Sequence, residues 1–106
     1  MTTAKTLVSI QIDFSKTKKQ ADRLEALAKQ LETLAGSNLE NSLSTIGASW
    51  TGESADEYLS KGRQLEEQLK KCASNLRSIA EIIRRTAQVT YNAERQALLL
   101  AQTKSS

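Results

Sequence analysis

The chain has 106 residues, of which 25% are charged and 4% aromatic, and it contains no Pro, no His and one Cys. Without His and with a single Cys, the common metal sites, His-assisted nucleophiles and an internal disulfide are excluded. The net charge of +3 is too small for the charge density of a nucleic-acid-binding protein. This composition is typical of long helices, so we expect one all-α domain with no metal, no cofactor and no catalytic residues.

The N-terminal residues have a different pattern from the rest. Apolar side chains alternate with polar ones at Val8, Ile10, Ile12 and Phe14, which favours an extended segment laid along an apolar surface. No apolar segment of the kind that a conventional secretory signal needs follows the first residues, and no run of about 18 apolar residues is available to span a bilayer. We therefore predict an extended N-terminal strap over residues 1–14.

The first arm has apolar residues at helical spacing, interrupted once. Its first stripe consists of Leu24, Leu27, Leu31 and Leu34. Beyond Gly36 the spacing resumes with Leu39, Leu43 and Ile46, shifted in phase by about one residue. One internal Gly costs about 1 kcal/mol relative to Ala, which packing can outweigh. We predict a kinked or locally loosened helix over 15–46, with a true break at Gly36 as the alternative.

A bend is predicted at residues 47–54, where the only Trp and one Gly are separated by a single residue. Gly52 supplies backbone freedom that a residue with a Cβ lacks, and Trp50 is expected to bury its ring between the two arms. Ser54 and Glu57 have the spacing of a capping box, which places the start of the second helix at Ser54. We interpret Trp50 and Gly52 as structural, with a recognition role as the alternative.

The second arm has apolar and small residues in alternating steps of four and three, which is the pattern of a heptad seam. The seam consists of Tyr58, Gly62, Leu65, Leu69, Cys72, Leu76, Ile79, Ile83, Thr86, Thr90, Ala93, Ala97 and Leu100. Between Cys72 and Thr90 the apolar surface is about four positions in seven wide, which is more than one partner helix covers. We therefore predict a helical hairpin over 15–102 that dimerises into an antiparallel four-helix bundle.

The surface predicted to contact a partner lies on this second arm. Its residues are Leu69, Cys72, Leu76, Ile79, Ile82, Ile83 and Val89, followed by Leu98, Leu99 and Leu100. The last three leucines belong to the part of the second arm that is expected to extend beyond the first arm by roughly 25 Å. Residues 103–106 are expected to form a disordered tail.

The polar and reactive residues of the second arm have simple interpretations. Cys72 falls on the seam and is interpreted as a buried small hydrophobe. Four basic residues recur at seven-residue intervals and line one edge of the helix: Arg63, Lys70, Arg77 and Arg84. A solvated face is the first interpretation of this edge, and docking on Glu25 and Glu32 of the first arm, or on a partner, is the alternative. The carboxylates do not converge, and two packed helices are not expected to form a cleft of ordinary active-site volume.

The residues Trp50-Thr51-Gly52 at mid-chain, between two helical arms, resemble the WXG100 (ESAT-6-like) family of small proteins exported by type VII secretion systems. The resemblance extends from about Ile10 to Gln102. The segment Tyr91-Asn92-Ala93-Glu94, followed by a helical tail, is similar to the family's C-terminal export signal. It departs from the general form, Tyr-x-x-x-Asp/Glu, because Arg95 occupies the fourth place after the tyrosine.

The resemblance implies a hairpin that pairs antiparallel with itself or a relative, and a face that the secretion ATPase recognises through Tyr91 and Glu94. It also implies export from the bacterial cytoplasm, to the medium or the cell surface, without a signal peptide. Some relatives are targeting partners of toxins with a helical LXG-type domain. We therefore expect a non-enzymatic adaptor, with a dedicated toxin chaperone as the alternative. Rival classes are a coiled-coil subunit of an intracellular assembly and a membrane-surface or nucleic-acid binder.

Overall fold

The computed structural model describes residues 6–105, and that part of the chain is helical almost throughout. Helix α1 spans Leu7–Thr33, a π-helical segment spans Leu34–Leu39, α2 spans Glu40–Ser49 and α3 spans Glu53–Ser105. Residues 50–52 link α2 to α3 and lie inside the predicted bend. No strand occurs within the described residues. The prediction of an all-α helix-turn-helix hairpin is therefore confirmed.

The predicted N-terminal strap is wrong wherever the structure describes it, because α1 already begins at Leu7. Thr6 caps this helix. Its hydroxyl oxygen accepts a hydrogen bond from the backbone N–H of Ser9 at 3.1 Å, and its carbonyl accepts one from Ile10 at 3.0 Å. A threonine that satisfies a free amide of the first turn is a favourable helix start. The first five residues of the predicted strap lie outside the described range.

The four alternating apolar residues of this region do not share one face. Ile10 is only 2% exposed and Phe14 is half-buried, whereas Val8 and Ile12 are exposed. The two covered residues are four positions apart, which places them on the same side of a helix. The same residues thus fit both a strand and a helix period, and packing on the rest of the protein selects the helix.

The π-helical segment accounts for the phase shift in the first arm. A π-helix bonds each amide one residue further back than an α-helix does, so it adds one residue to the repeat. The buried residues Ala35, inside the segment, and Leu43, beyond it, are eight positions apart rather than the seven of a heptad. Helical backbone continues through Gly36. The prediction of a loosened helix is therefore confirmed, and the alternative of a break at Gly36 is wrong.

The contacts divide the chain into two compact units. The bend unit comprises Leu24–Ser78, and the terminal unit comprises the residues up to Arg23 together with those from Ile79 onward. Each unit contains a piece of the first arm and a piece of α3. The bend lies in the bend unit and the aromatic stack in the terminal unit.

Alanine dominates the core of both units. In the bend unit the buried residues are Ala28, Ala35, Leu43, Ala55 and Ala73. In the terminal unit they are Ile10, Ala21, Ala80 and Ala87. None of the large apolar side chains among the described residues is completely buried. A core of this kind stabilises a single hairpin only weakly, since stabilisation follows the apolar area removed from water.

The seam predicted for α3 is only partly right. Its half-buried members in the middle of the helix are Leu69, Leu76 and Ile83, whereas Leu65, Cys72 and Ile79 are exposed. The buried positions are instead the alanines that directly follow two of the exposed residues, Ala73 and Ala80. Small side chains let helix backbones approach closely, so α3 turns its alanines inward. The interpretation of Cys72 as a buried hydrophobe is therefore wrong, since the thiol is exposed.

The C-terminal end of α3 also differs from expectation. The three segments of the first arm contain 27, 6 and 10 residues against 53 in α3, so the excess is ten residues rather than the longer overhang expected. Leu98 is half-buried, while Leu99 and Leu100 are exposed. The helix continues through Ser105, so the prediction of a disordered tail is wrong for residues 103–105. The final residue lies outside the described range.

Candidate functional site

The bend between α2 and α3 is made by backbone geometry. Trp50 leaves the helix in an extended conformation, with φ −129° and ψ 121°, and its N–H donates to the carbonyl of Ile46 at 2.8 Å. Gly52 has φ 117°, in the region that side chains with a Cβ rarely adopt. Its carbonyl accepts a hydrogen bond from the N–H of Asp56 at 3.0 Å, which is the first bond of α3. The requirement for Gly at this position therefore has a direct conformational cause.

The prediction that Trp50 buries its ring between the two arms is wrong. Its side chain is 43% exposed, and its ring lies against Tyr58, which is itself 53% exposed. The two ring centroids are 5.7 Å apart, with a tilt of 54° between the planes. This geometry is typical of favourable aromatic pairs. The two rings form a partly exposed aromatic patch on the bend unit.

The capping box predicted at the start of α3 is also wrong. The helix begins at Glu53, so Gly52 occupies the N-cap position and Ser54 lies within the first turn. A capping box needs its serine before the helix, where the hydroxyl can reach a free amide. Ser54 and Glu57 therefore do not define the helix start. Instead, Glu53 and Asp56 place negative charge in the first turn, where the helix dipole favours it.

The predicted signal residue Tyr91 lies in a stack of two rings in the terminal unit. Its ring packs on Phe14 of α1, with centroids 4.6 Å apart and 29° between the planes. Arg95 lies over the Tyr91 ring at 5.5 Å from its centroid, and the Lys18 amine lies over the Phe14 ring at 5.2 Å. Both rings are half-buried. Tyr91 is thus held between α1 and its own helix rather than extended into solvent.

A shallow groove of about 330 Å³ adjoins this stack. Both rings, the carboxylates of Asp13 and Glu94 and several threonines line it, together with apolar residues of both helices. Oxygen Oε2 of Glu94 is buried. The expectation that two helices form no cleft is therefore wrong, since the volume of this groove reaches the lower end of the range for ligand sites. Its lining nevertheless lacks His, Cys and Ser, so it does not form a recognisable catalytic set.

Exposed apolar side chains follow α3 beside its buried alanines in both units. They are Leu65 and Cys72 in the bend unit, and Ile79, Ile82 and Val89 in the terminal unit, and we call these five residues the apolar flank. Val89 is the most exposed of the large residues among them, at 68%. In the bend unit Leu27 of α1 and Leu34 of the π-helical segment are also exposed, and each directly precedes a buried alanine, as Cys72 does. Equivalent positions of an antiparallel helix pair fall on the same side, so the first arm widens the flank in that unit.

The predicted basic edge of α3 contacts the first arm. Arg63 Nη1 donates to Glu40 Oε2 at 3.0 Å, and Arg77 Nε donates to Glu32 Oε1 at 2.7 Å. In the terminal unit Arg84 Nη2 donates to an oxygen of Asp22 at 2.7 Å. The alternative in which this edge docks on acidic residues of the first arm is therefore confirmed for Glu32. These pairs are partly exposed, so solvent screens them and each contributes little to stability.

Two of these contacts change the acidity of their carboxyl groups. The hydrogen bond from Arg77 lowers the pKa of Glu32. The carboxyl groups of Glu66 in α3 and Glu40 in α2 share a hydrogen bond. This hydrogen bond is the largest cause that raises the pKa of Glu66, followed by partial burial and by the charge of Glu40. The same hydrogen bond is the largest cause that lowers the pKa of Glu40, and Arg63 adds to it. The Glu66 side chain is only 12% exposed, so it keeps a proton more readily than a solvated carboxyl group.

Sequence reasoning missed Phe14, Ile10 and Glu66 as members of these sites. Phe14 and Ile10 continue the three-and-four spacing of α1 toward its N-terminus, through Thr17, Ala21 and Leu24. Counting threonine and alanine as core positions would have placed Ile10 and Phe14 on the buried face of α1. Glu66 is half-buried and lies one position after Leu65, which the predicted seam placed in the core, so only the contact with Glu40 identifies it.

Two kinds of site are absent from the part of the chain that the structure describes. No group of acidic, His or Cys side chains there is arranged to hold a metal ion. No helix in that part is both long and apolar enough to cross a membrane.

Comparison with models of protein families finds one match, over residues 9–95. The family is described as WXG100, proteins of 100 residues with WXG. The matched range contains the bend, the aromatic stack and the apolar flank, and it ends before Leu98. Comparisons with curated proteins and with solved structures found no match.

Proposed function

This chain belongs to the WXG100 family, and on that premise we propose that it is a non-enzymatic helical adaptor of a type VII secretion system. Members of the family are small helical proteins linked to type VII secretion, by which they are exported. They typically act as dimers. The adaptor is exported itself, or it targets a partner protein to the system.

The apolar flank of α3 is the feature that supports this proposal most directly. Burial of apolar surface stabilises by about 25 cal/mol per Å², and a continuous exposed apolar surface on a small protein marks an interface. The hairpin leaves the flank exposed, because the buried positions of α3 are the alanines Ala73, Ala80 and Ala87 rather than the flank residues. We infer that a second helical hairpin covers it.

The proposed assembly is an antiparallel four-helix bundle. A second copy of this chain, or a related hairpin, packs on the apolar flank and on Leu27 and Leu34. The exposed bend, with Trp50 and Gly52, then lies near the C-terminal part of the partner's α3. The basic edge stays outside the interface, because Arg63 and Arg77 already pair with the first arm on the opposite side.

The solution mass of the purified protein tests this assembly, alone and mixed with the products of neighbouring genes. Val89→Asp places a charge on the flank and should convert the dimer into a monomer with unchanged helical content. Gln88→Asp is the matched control, since it adds the same charge about 100° away around the helix. A wild-type chain that is a stable monomer in both samples would remove the basis of the adaptor proposal.

The single thiol offers a second measurement of the same interface. Cys72 is exposed in the hairpin, and it lies in the centre of the proposed contact surface. We expect a thiol reagent to react slowly at protein concentrations where the assembly forms and faster after dilution or in Val89→Asp. An equal rate in all three samples would mean that the flank is not covered.

We further propose that Tyr91 and Glu94 form the export signal. Tyr91→Leu keeps an apolar side chain at this position and removes the phenol ring, so it should fold and dimerise but remain in the cells. Tyr58→Leu is the control, because it changes the other tyrosine. Export is measured as the amount of protein in the medium, in cells with and without the secretion ATPase. Normal export of Tyr91→Leu would refute this assignment.

A second candidate function is that of a dedicated partner of one LXG-type toxin. It is favoured by Leu99 and Leu100, which are exposed at the end of α3 and lie beyond the matched family range. Co-expression with an LXG-type helical domain should then yield a complex, and Leu99→Ser with Leu100→Ser should weaken it while the homodimer persists. A homodimer that does not exchange with any such domain would leave the free adaptor as the function.

A further inference from the structure

Of the two aromatic residues in α3, only Tyr91 packs against an aromatic ring of the first arm. Phe14, the only Phe of the chain, provides that ring. The two residues lie 77 positions apart in the sequence, so the contact exists only in the folded hairpin. An export signal that consisted of Tyr91 and Glu94 alone would need no such neighbour.

We propose that Phe14 is a positioning residue of the Tyr91 signal, so that the secretion machinery recognises a surface built by both helices. This inference rests on the proposed function of Tyr91. Stacking at 4.6 Å fixes the plane of the Tyr91 ring, and Arg95 over the same ring adds a cation at a defined place. The recognised surface therefore contains Phe14 and Arg95 beside Tyr91 and Glu94.

Preorganisation is the physical reason why the neighbour matters. A side chain that is free before binding loses rotamer entropy when a partner binds it, and that loss weakens affinity. Phe14 removes this loss in advance because it holds the ring before the partner arrives. An aliphatic residue at position 14 fills similar space but lacks the flat face that orients a phenol ring.

The arrangement also accounts for the departure from the general signal. In this chain the acid follows the tyrosine by three positions, and Arg95 takes the place of the acid at the fourth. Arg95 packs over the ring instead of extending away from it. The positive group is thus part of the same surface, which a linear description of the signal omits.

The test compares Phe14→Leu with Phe14→Tyr in the full-length protein. Phe14→Leu should lower export about two- to tenfold, which corresponds to the contribution of an aromatic pair. Phe14→Tyr restores an aromatic ring and should restore export. Leu31→Ala, which removes packing from a half-buried position in the bend unit, should lower thermal stability without lowering export, and it separates positioning from stability.

A spectroscopic readout follows the ring itself. The chain has only two tyrosines, so their ring resonances are easily assigned by NMR. In Phe14→Leu the Tyr91 resonances should lose the upfield shift caused by the stacked ring, while those of Tyr58 against Trp50 should not move. If Phe14→Leu has reduced helical content, Phe14→Met takes its place in both measurements.

The outcomes separate the two proposals. Normal export of Phe14→Leu together with loss of export in Tyr91→Leu would overturn the positioning role and leave the signal in place. Normal export of Tyr91→Leu would overturn both. Loss of export in Phe14→Leu that Phe14→Tyr does not restore would also overturn the positioning role, since a ring at position 14 would then be insufficient.

Discussion

The two aromatic pairs of this protein contrast in position and exposure. Trp50 and Tyr58 are close in sequence, tilted against each other and largely exposed beside the bend. Phe14 and Tyr91 come from opposite ends of the chain, are stacked and are half-buried. The Trp50-to-Gly52 motif therefore contributes surface, whereas the Phe14–Tyr91 pair contributes to the packing of its unit. A distinctive sequence motif can therefore lie at the surface rather than in the core.

Different features close the bend unit. Gly52 adopts a positive φ, and Gly62 leaves room for the buried Leu43, because an added Cβ would clash with its Cδ2. Both are features of the backbone and of close approach. The comparison thus predicts that glycines are essential to the bend unit and that an aromatic ring is essential to the terminal unit.

The largest expected effect comes from removal of the stacked ring. Phe14→Ala should lower the free energy of unfolding by about 2 kcal/mol, less than a fully buried Phe because the ring is half-buried. Trp50→Ala should cost about 1 kcal/mol, because that ring is more exposed than the half-buried Phe14. Urea unfolding followed by circular dichroism at one protein concentration measures both. Equal costs would erase the distinction between the two pairs.

Replacement of the bend glycine should have the next largest effect. Gly52→Ala forces a Cβ into a conformation with φ 117° and should cost about 1–2 kcal/mol. Gly36→Ala is the control, since an added Cβ there meets no atom within 4 Å and its φ is not positive. The control should be stabilising by about 0.5–1 kcal/mol. If both variants have the same stability, the bend does not depend on that φ.

Gly62→Ala tests the close approach of Leu43. The clash should cost about 1–3 kcal/mol, and the better helix propensity of Ala returns about 1 kcal/mol. In a Leu43→Ala background the clash is absent, so the same substitution should become favourable. The double-mutant cycle therefore yields a coupling energy between the two positions, and additive effects would show that the helices tolerate the extra methyl group.

The pH dependence of stability should give the smallest effect. Because the pKa of Glu66 is raised, its contribution is present at acid pH and is lost as pH rises through the raised value. Glu66→Gln should therefore be more stable than the wild type at neutral pH and lose that advantage below the ordinary glutamate range. Thermal unfolding at a series of pH values measures the difference.

Glu32→Gln is the opposite control. Its pKa is lowered by Arg77, so the wild-type advantage is present above the ordinary value and disappears as pH falls through the lowered one. A constant difference between either variant and the wild type across pH would contradict the assigned contacts.

Much of the fold could be predicted from the sequence. The absence of Pro, the leucine spacing and the Trp50-to-Gly52 segment predicted a helical hairpin with its bend in the observed place. The phase shift beyond Gly36 predicted the loosened turn. The N-terminal strap failed because a short apolar alternation, Val8 to Phe14, also satisfies a helix, and only tertiary packing decides between them.

The candidate sites were less predictable for a physical reason. Large apolar residues were assigned to the core, but the helices approach through Ala73 and Ala80, so Cys72 and Ile79 remain outside. Side-chain size alone does not reveal which face a helix turns inward when alanines compete with leucines. The stack on Tyr91 depends on a contact across 77 positions, and no local spacing encodes it.

The π-helical segment limits how the first arm can change in length. Its wide turn holds one residue more than an α-helical turn, so Ala35 and Leu43 share a face although they lie eight positions apart. Loss of one residue from 36–39 would convert the segment to ordinary α-helix and leave the faces on both sides in phase. Loss of one residue from α1 itself would instead rotate the residues before it by about 100°. Shorter versions of this hairpin are therefore accessible at the π-helical segment or in whole repeats, and single deletions elsewhere in the arms are not neutral.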